Sequence, residues 1–171
     1  MRDRRSGSFI AEYVAVIVVI FLCLLFPLIN LVTAGLRYCL VLQAVHDGLQ
    51  AAAPATTFTV ASGTNSVMNL GPTAIADTLS KYTGISNTSI RTRIKSTDIA
   101  TQTVTDYPWD TKLAAPAAQT SIYTIECQVS ADVEPLINFG GVCQMVPGIC
   151  GPMHVDIAAQ ELTENPAGMN Q

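Results

Sequence analysis

The chain has 171 residues, 49% of them hydrophobic, with 9 Lys and Arg against 13 Asp and Glu and a formal net charge of −4. That length holds one modest domain plus an anchor or tail, and the acidic balance argues against nucleic acid as a partner, since binding a phosphate backbone needs a surplus of cations. No Walker loop, dinucleotide fingerprint, Gly-x-Ser-x-Gly or zinc-ligand spacing is present, so nothing points to an enzyme, a cofactor or a metal.

Arg2, Arg4 and Arg5 precede an apolar run, and no charged side chain occurs from Val14 to Leu36. As a helix that run is about 35 Å long, enough to cross the hydrocarbon core of a bilayer. The arginines predict a cytoplasmic N-terminus in a single-pass protein of the inner (cytoplasmic) membrane, with everything after about Arg37 exported. A secretory signal peptide has an apolar core of only about 7–15 residues, so this one is too long. An uncleaved signal anchor fits the length and the arginines but leaves Glu12 unexplained. A carboxylate at the start of a membrane helix costs roughly 2.5–3.5 kcal/mol on insertion scales and is a functional candidate for that reason.

A third reading accounts for Glu12. The basic segment ends in Gly7 and is followed by Ser8-Phe9-Ile10-Ala11-Glu12-Tyr13. This stretch resembles a prepilin-type signal, in which the cut falls before the apolar segment. A cut between Gly7 and Ser8 makes Glu12 the fifth mature residue and Tyr13 the sixth. Glycine, four residues, then Glu-Tyr opening a membrane helix is similar to the processing motif of the tight-adherence (Flp) pilus system. The long exported part resembles the TadE-like pseudopilins of that system more than its short pilins.

The resemblance implies a prepilin leader over 1–7, removal of that leader by a prepilin peptidase, and Tyr13 in the surface that the peptidase recognises. It also implies a structural minor pilin, with other pilin or pseudopilin subunits and the pilus assembly platform as partners and surface attachment or secretion as the outcome. Cleavage frees an α-amine on Ser8. The Glu12 carboxylate of one subunit can pair with that amine on its neighbour, and an unpaired buried charge is penalised in a low-dielectric setting, so the pair fixes the register of packed helices. The alternative, from another class, is an unprocessed membrane-anchored binding module whose exported domain recognises a ligand or envelope partner.

Beyond the membrane run, Leu36, Leu40, Val41, Ala44, Val45, Gly48, Leu49 and Ala52 fall on one helical stripe. The spacing predicts a single transmembrane helix with an amphipathic extension over 8–53, close to 70 Å long. Pro27 is expected to kink it, and Cys23 and Cys39 lie along it. Pro54 stops it, and 54–71 reads as a linker rich in Thr, Ser, Asn and Gly.

Residues 72–171 read as the exported domain. Pro72 is expected at the first helical position of a helix over 72–83, with an apolar face of Ala74, Ile75, Leu79 and Tyr82 and a stop at Gly84. Period-two alternation predicts strands over 90–95, 123–133 and 153–160, each with one wet face, and 99–104 is a candidate edge strand. The expected fold class is α+β: a small antiparallel β-sheet packed on helices, in a pilin-like arrangement with the long helix.

Arg91, Arg93 and Lys95 on one strand and Glu126, Asp132 and Glu134 on another are expected to form a solvated face, or to pair if the strands are neighbours. Trp109 is expected to fold onto the sheet from a loop. Cys127 falls on an apolar strand face as a buried thiol. Cys143 and Cys150 are candidates for a disulfide closing a Gly/Pro-rich loop, nominally about 2–3 kcal/mol on the chain-entropy model. A metal needs more ligands than His154, the only other donor nearby. Neither His46 nor His154 has a recognisable partner in the sequence, although His154 and Asp156 share a strand face.

Overall fold

The computed structural model describes residues 5–55, 66–110, 120–137 and 146–164, with side chains from Glu12 onward. Its elements in chain order are α1 (Arg5–Ala52), α2 (Val67–Ser80), β1 (Ile85–Asp98), β2 (Val104–Asp106), β3 (Ser121–Val133) and β4 (Met153–Leu162).

Helix α1 is a single 48-residue helix that continues through Pro27, where a kink was expected. Its two halves differ in surroundings. Every side chain from Glu12 to Leu24 is exposed, whereas Val41, Ala44, Val45, Leu49 and Ala52 are buried. Leu36, counted in the expected stripe, is 63% exposed. It lies two residues, about 200° around the helix, from buried Ala34, and therefore points away from the sheet.

Helix α2 begins at Val67, five residues before the expected start, so the last part of the expected linker is helical. Ser66, in an extended conformation, supplies the N-cap backbone, and its carbonyl accepts from the amides of Asn69 and Leu70. Pro72 therefore sits inside the helix. The buried stripe Val67, Gly71, Ile75, Leu79 has the four-residue spacing of one helix face, and tertiary burial of that face outweighs the proline. Tyr82, expected on the apolar face, lies beyond the helix end and is 40% exposed.

The two helices cross at glycines. A Cβ on Gly48 would lie 2.3 Å from Ile75 Cγ1 and 3.0 Å from the Gly71 carbonyl oxygen, and one on Gly71 would lie 3.5 Å from the Gly48 carbonyl oxygen. Only the absence of side chains at Gly48 lets the backbones approach this closely.

The sheet is antiparallel throughout, in the order β2-β1-β3-β4. Arg93 lies opposite Glu126, and Asp132 opposite His154. β1 is longer than the expected 90–95 segment because its first half pairs with the end of β3 across an irregularity between Ser86 and Ser89. The edge strand β2 covers Val104–Asp106 rather than 99–104; Ile99 is exposed in the β1–β2 turn, where Asp98 accepts from the amides of Ala100 and Thr101.

One face of the sheet is apolar. Ile94, Tyr123, Ile125, Cys127, Val129, Ala131, Val133, Val155 and Ile157 join Val41, Val45, Leu49, Ile75 and Leu79 in a single core. α1 backs β3 and β4, and α2 lies mainly against α1 and β1. Cys127 is buried as expected. Its thiol is pushed up by burial, with Thr92 Oγ1 3.6 Å away. The architecture is thus α+β, with one long apolar N-terminal helix and a four-stranded antiparallel sheet.

Candidate functional site

The residues singled out at the N-terminus occupy the start of α1. Gly7 and Ser8 lie in its first turns, Glu12 is exposed one turn beyond Ser8, and Tyr13 beside it is 62% exposed. From there the surface is apolar on every side: Val14, Ile17, Val18, Ile20, Phe21, Leu24 and Leu28 are all exposed. This helix is long and apolar enough to cross a membrane.

The apolar run meets the domain at a residue the sequence reading passed over. Asn30 is fully buried. Its Nδ2 donates to the carbonyls of Ile137 at 2.9 Å and Ile149 at 2.5 Å, and its Oδ1 accepts from the Ile137 amide at 2.9 Å. One amide thereby holds both ends of the β3–β4 connection against α1. Two turns further on, the Arg37 guanidinium donates to the Glu134 carbonyl and packs over Gly84, whose φ of +80° turns the chain into β1 and leaves the space a Cβ would fill.

The spacing is consistent. Seven helical residues from Asn30 to Arg37 rise about 10 Å, and the short segment from Glu134 to Ile137 spans the two contacts. An amide inside an otherwise apolar run was the available signal for Asn30, because such a group needs partners wherever it is buried.

Cys143 lies outside the described residues, so the expected pairing with Cys150 carries forward as an expectation. Cys150 is buried, 2% exposed, and is not one of the free thiols Cys23, Cys39 and Cys127.

The outer face of the sheet is mainly polar, apart from exposed Ile122 and Leu162 at one end, and carries two charge clusters. At the end far from Asn30, Glu126 Oε2 accepts from Arg93 Nε at 2.5 Å and Lys95 Nζ at 2.9 Å, with Asp106 of β2 3.7 Å from Arg93 and 4.0 Å from Lys95. Trp109 stacks on the Arg93 guanidinium at 4.4 Å, which places it on the sheet as expected. Glu126 is buried. Burial alone raises a carboxyl, but the bonds from Arg93 and Lys95 outweigh it and hold Glu126 below the usual carboxylate range. Arg93, Lys95 and Glu126 therefore pair across the strands rather than merely face water.

At the near end, His154 Nδ1 is 2.7 Å from Asp132 Oδ1, and Nε2 is 3.1 Å from Ser130 Oγ and 3.6 Å from Asp156. Asn87 Nδ2 donates to Asp132 at 2.8 Å. Asp132 and Ser130 are partners of His154 that were not visible in sequence, because they come from the neighbouring strand. Its pKa is raised, first by the Asp132 hydrogen bond, and that of Asp132 is lowered by its bonds from Asn87 and His154.

A shallow polar depression beside this pair is lined by Ser89, Arg91, Gln128, Ser130, His154 and Asp156. It offers donors and acceptors of both signs in contact with solvent. Among the described residues, no group of three or more His, Cys, Asp and Glu is placed to hold a metal ion. No family model, curated protein or solved structure matches this chain.

Proposed function

We propose that this chain is a membrane-inserted minor pilin or pseudopilin of the TadE-like kind, trimmed between Gly7 and Ser8 by a prepilin peptidase and used in assembling a tight-adherence pilus for surface attachment. The observation that carries the reading is the position of Glu12. It lies four residues past Ser8, about 6 Å along the helix, at the head of a segment whose described apolar side chains are exposed through Leu24 and again at Leu28. From Ser8 to Leu28 is about 30 Å of helix, one hydrocarbon thickness.

In that setting the Ser8 amine and the Glu12 carboxylate are the only charges the processed segment carries before Arg37. Each needs a partner when helices pack side by side, and a mismatched register leaves both unpaired at a cost of several kcal/mol per ion. The sheet, packed on the later part of α1 from Val41 to Ala52, is the part available to partners outside the membrane.

The test is the N-terminus of the protein extracted from membranes of cells that possess the peptidase. Intact mass should correspond to a chain starting at Ser8, and Gly7→Leu should abolish that trimming. Retention of Met1 or Arg2 overturns the reading in favour of an unprocessed anchored module, and a soluble form starting near Gly35 indicates ordinary secretion. Glu12→Leu should still be inserted and trimmed but fail to enter the assembly. Normal assembly of that variant removes the role given to the carboxylate.

A further inference from the structure

The exposed apolar surface of α1 includes Leu28 and, just beyond it, Leu31 and Val32, and the β3–β4 connection is fastened between them, at Asn30. With Ser8–Leu28 filling the hydrocarbon core, Asn30 stands about 3 Å above its outer edge, inside the headgroup layer that makes up the rest of a bilayer about 40–45 Å thick. Whatever is bonded to Asn30 shares that depth.

Two segments of the connection are: 135–137, which exchanges two hydrogen bonds with Asn30, and 146–150, which supplies the Ile149 carbonyl and folds back through bonds from the Ile149 and Cys150 amides to the Val146 carbonyl. Both are free of charged residues. Each presents a large apolar side chain outward: Leu136 is 57% exposed and Val146 is 44% exposed.

We infer that these two segments form a second membrane contact, with Leu136 and Val146 entering the lipid–water boundary of the outer leaflet and seating the sheet domain directly on the bilayer. The occupant is lipid rather than another protein because both segments are hydrogen-bonded to α1 at Asn30, between the exposed apolar side chains of Leu28 and Leu31 on the membrane-length helix, and share its depth. Apolar side chains on uncharged backbone segments suit that layer, where area burial is favourable and no ionic attraction is needed. The contact should therefore be insensitive to salt. It also restrains rotation of α1 and the sheet together about the helix axis, so the outer face of the sheet keeps one orientation to the membrane.

The inference rests on the membrane-spanning part of the proposed function and not on processing or pilus assembly. Its test uses the full chain reconstituted at low density in phosphatidylcholine vesicles, in a Trp109→Phe background that keeps an aromatic ring over Arg93. Single tryptophans are introduced at Leu136, Val146, Ile17 and Leu162, all exposed positions or, for Val146, a partly exposed one. Emission is compared in lipids with and without bromine on their acyl chains.

Ile17→Trp should be strongly quenched. Leu136→Trp and Val146→Trp should be blue-shifted and quenched at least half as much, unchanged by added salt. Leu162→Trp, at the far end of β4, should not be quenched. If Ile17→Trp is quenched while Leu136→Trp and Val146→Trp behave like Leu162→Trp, the second contact is overturned and the membrane span stands. A blue shift at Leu136 and Val146 without bromine quenching also overturns it, since protein then covers the patch. Absence of quenching at Ile17 overturns the membrane span itself.

Discussion

From Tyr13 to Leu24, α1 carries apolar side chains on all sides and none of them is covered, whereas from Val41 to Ala52 it carries them on one stripe and buries that stripe beneath the sheet. The backbone is one continuous helix across both regions. What differs is how the side chains are arranged around it. The upper region sets Gln43, His46 and Gln50 opposite Val41, Val45 and Leu49, so one side faces water and the other the sheet. The lower region has no polar side, and its apolar surface finds no cover within the chain. Periodicity therefore distinguishes a helix that needs a protein partner from one that needs an apolar solvent. The changeover occurs at Asn30, the first residue of α1 to be buried among those described.

The most damaging way to probe this contrast is to shorten a leucine in each region. Leu49, 1% exposed in the centre of the core, should lose about 3 kcal/mol on replacement by alanine. Leu24, 69% exposed, should change the stability of the sheet domain by less than about 0.5 kcal/mol. Denaturant unfolding in detergent micelles, followed by the near-ultraviolet signal of the domain, measures both. Equal losses would mean that the lower region is packed against the domain after all.

Glycines give a second comparison on the same helix. Gly35 has no atom within 4 Å of where a Cβ would stand, while at Gly48 the Cβ meets Ile75 and the Gly71 carbonyl. Gly35→Ala should stabilise by about 0.5–1 kcal/mol through helix propensity alone. Gly48→Ala gains the same propensity but should be destabilising by about 1–3 kcal/mol, because α2 has to move. A stabilising Gly48→Ala would show that the helix crossing is looser than the geometry indicates.

Asn30→Leu tests the changeover point. It leaves the Ile137 amide and the Ile149 carbonyl without their partner at a buried site, a loss of about 1–3 kcal/mol. Hydrogen exchange at the Ile137 amide should accelerate more than exchange within β3. Unchanged exchange would mean that the connection is held by contacts other than Asn30.

The legibility of these features follows from their range. The alternation over 123–133 and 153–160 found β3 and β4 almost to the residue, because a strand with one buried face repeats every two positions whatever its partners are. The stripe from Val41 to Ala52 was visible for the same reason at helical period. The start of α2 was misplaced because Pro72 is a strong local signal for a first helical turn. It was overruled by Val67 and Gly71, whose burial against α1 depends on a segment some twenty residues away. Arg93 with Glu126, and Asp132 with His154, are joined by strand register, so the residue types were legible but their pairing was not. The composition of Cys143 and Cys150 was legible too, and disulfide mapping by mass spectrometry after mild proteolysis is the direct check on that bond.

The two charge clusters allow the comparison to be carried onto the sheet itself, where the smallest effects are expected. Glu126 is buried and its pKa is lowered, so its pairing stabilises above about pH 4.5, the ordinary glutamate value, and that contribution is lost as pH falls through the lowered folded value. His154 is exposed and its pKa is raised. Its contribution is complete below the ordinary histidine value of 6.5 and is lost as pH rises through the raised folded value. Asp132, lowered from 3.8, behaves like Glu126. The His154–Asp132 pair is therefore fully ionised in its stabilising form between about pH 4 and 6.5, and weakens on the alkaline side first.

Because His154 is exposed to water, the effect on unfolding is too small for a thermal scan to resolve, and the ring resonance of His154 is the better readout. Its titration midpoint should fall in Asp132→Asn, with the sheet otherwise intact. An unchanged midpoint would mean that the 2.7 Å contact does not persist in solution and that only the buried far end of the outer face is held by charge.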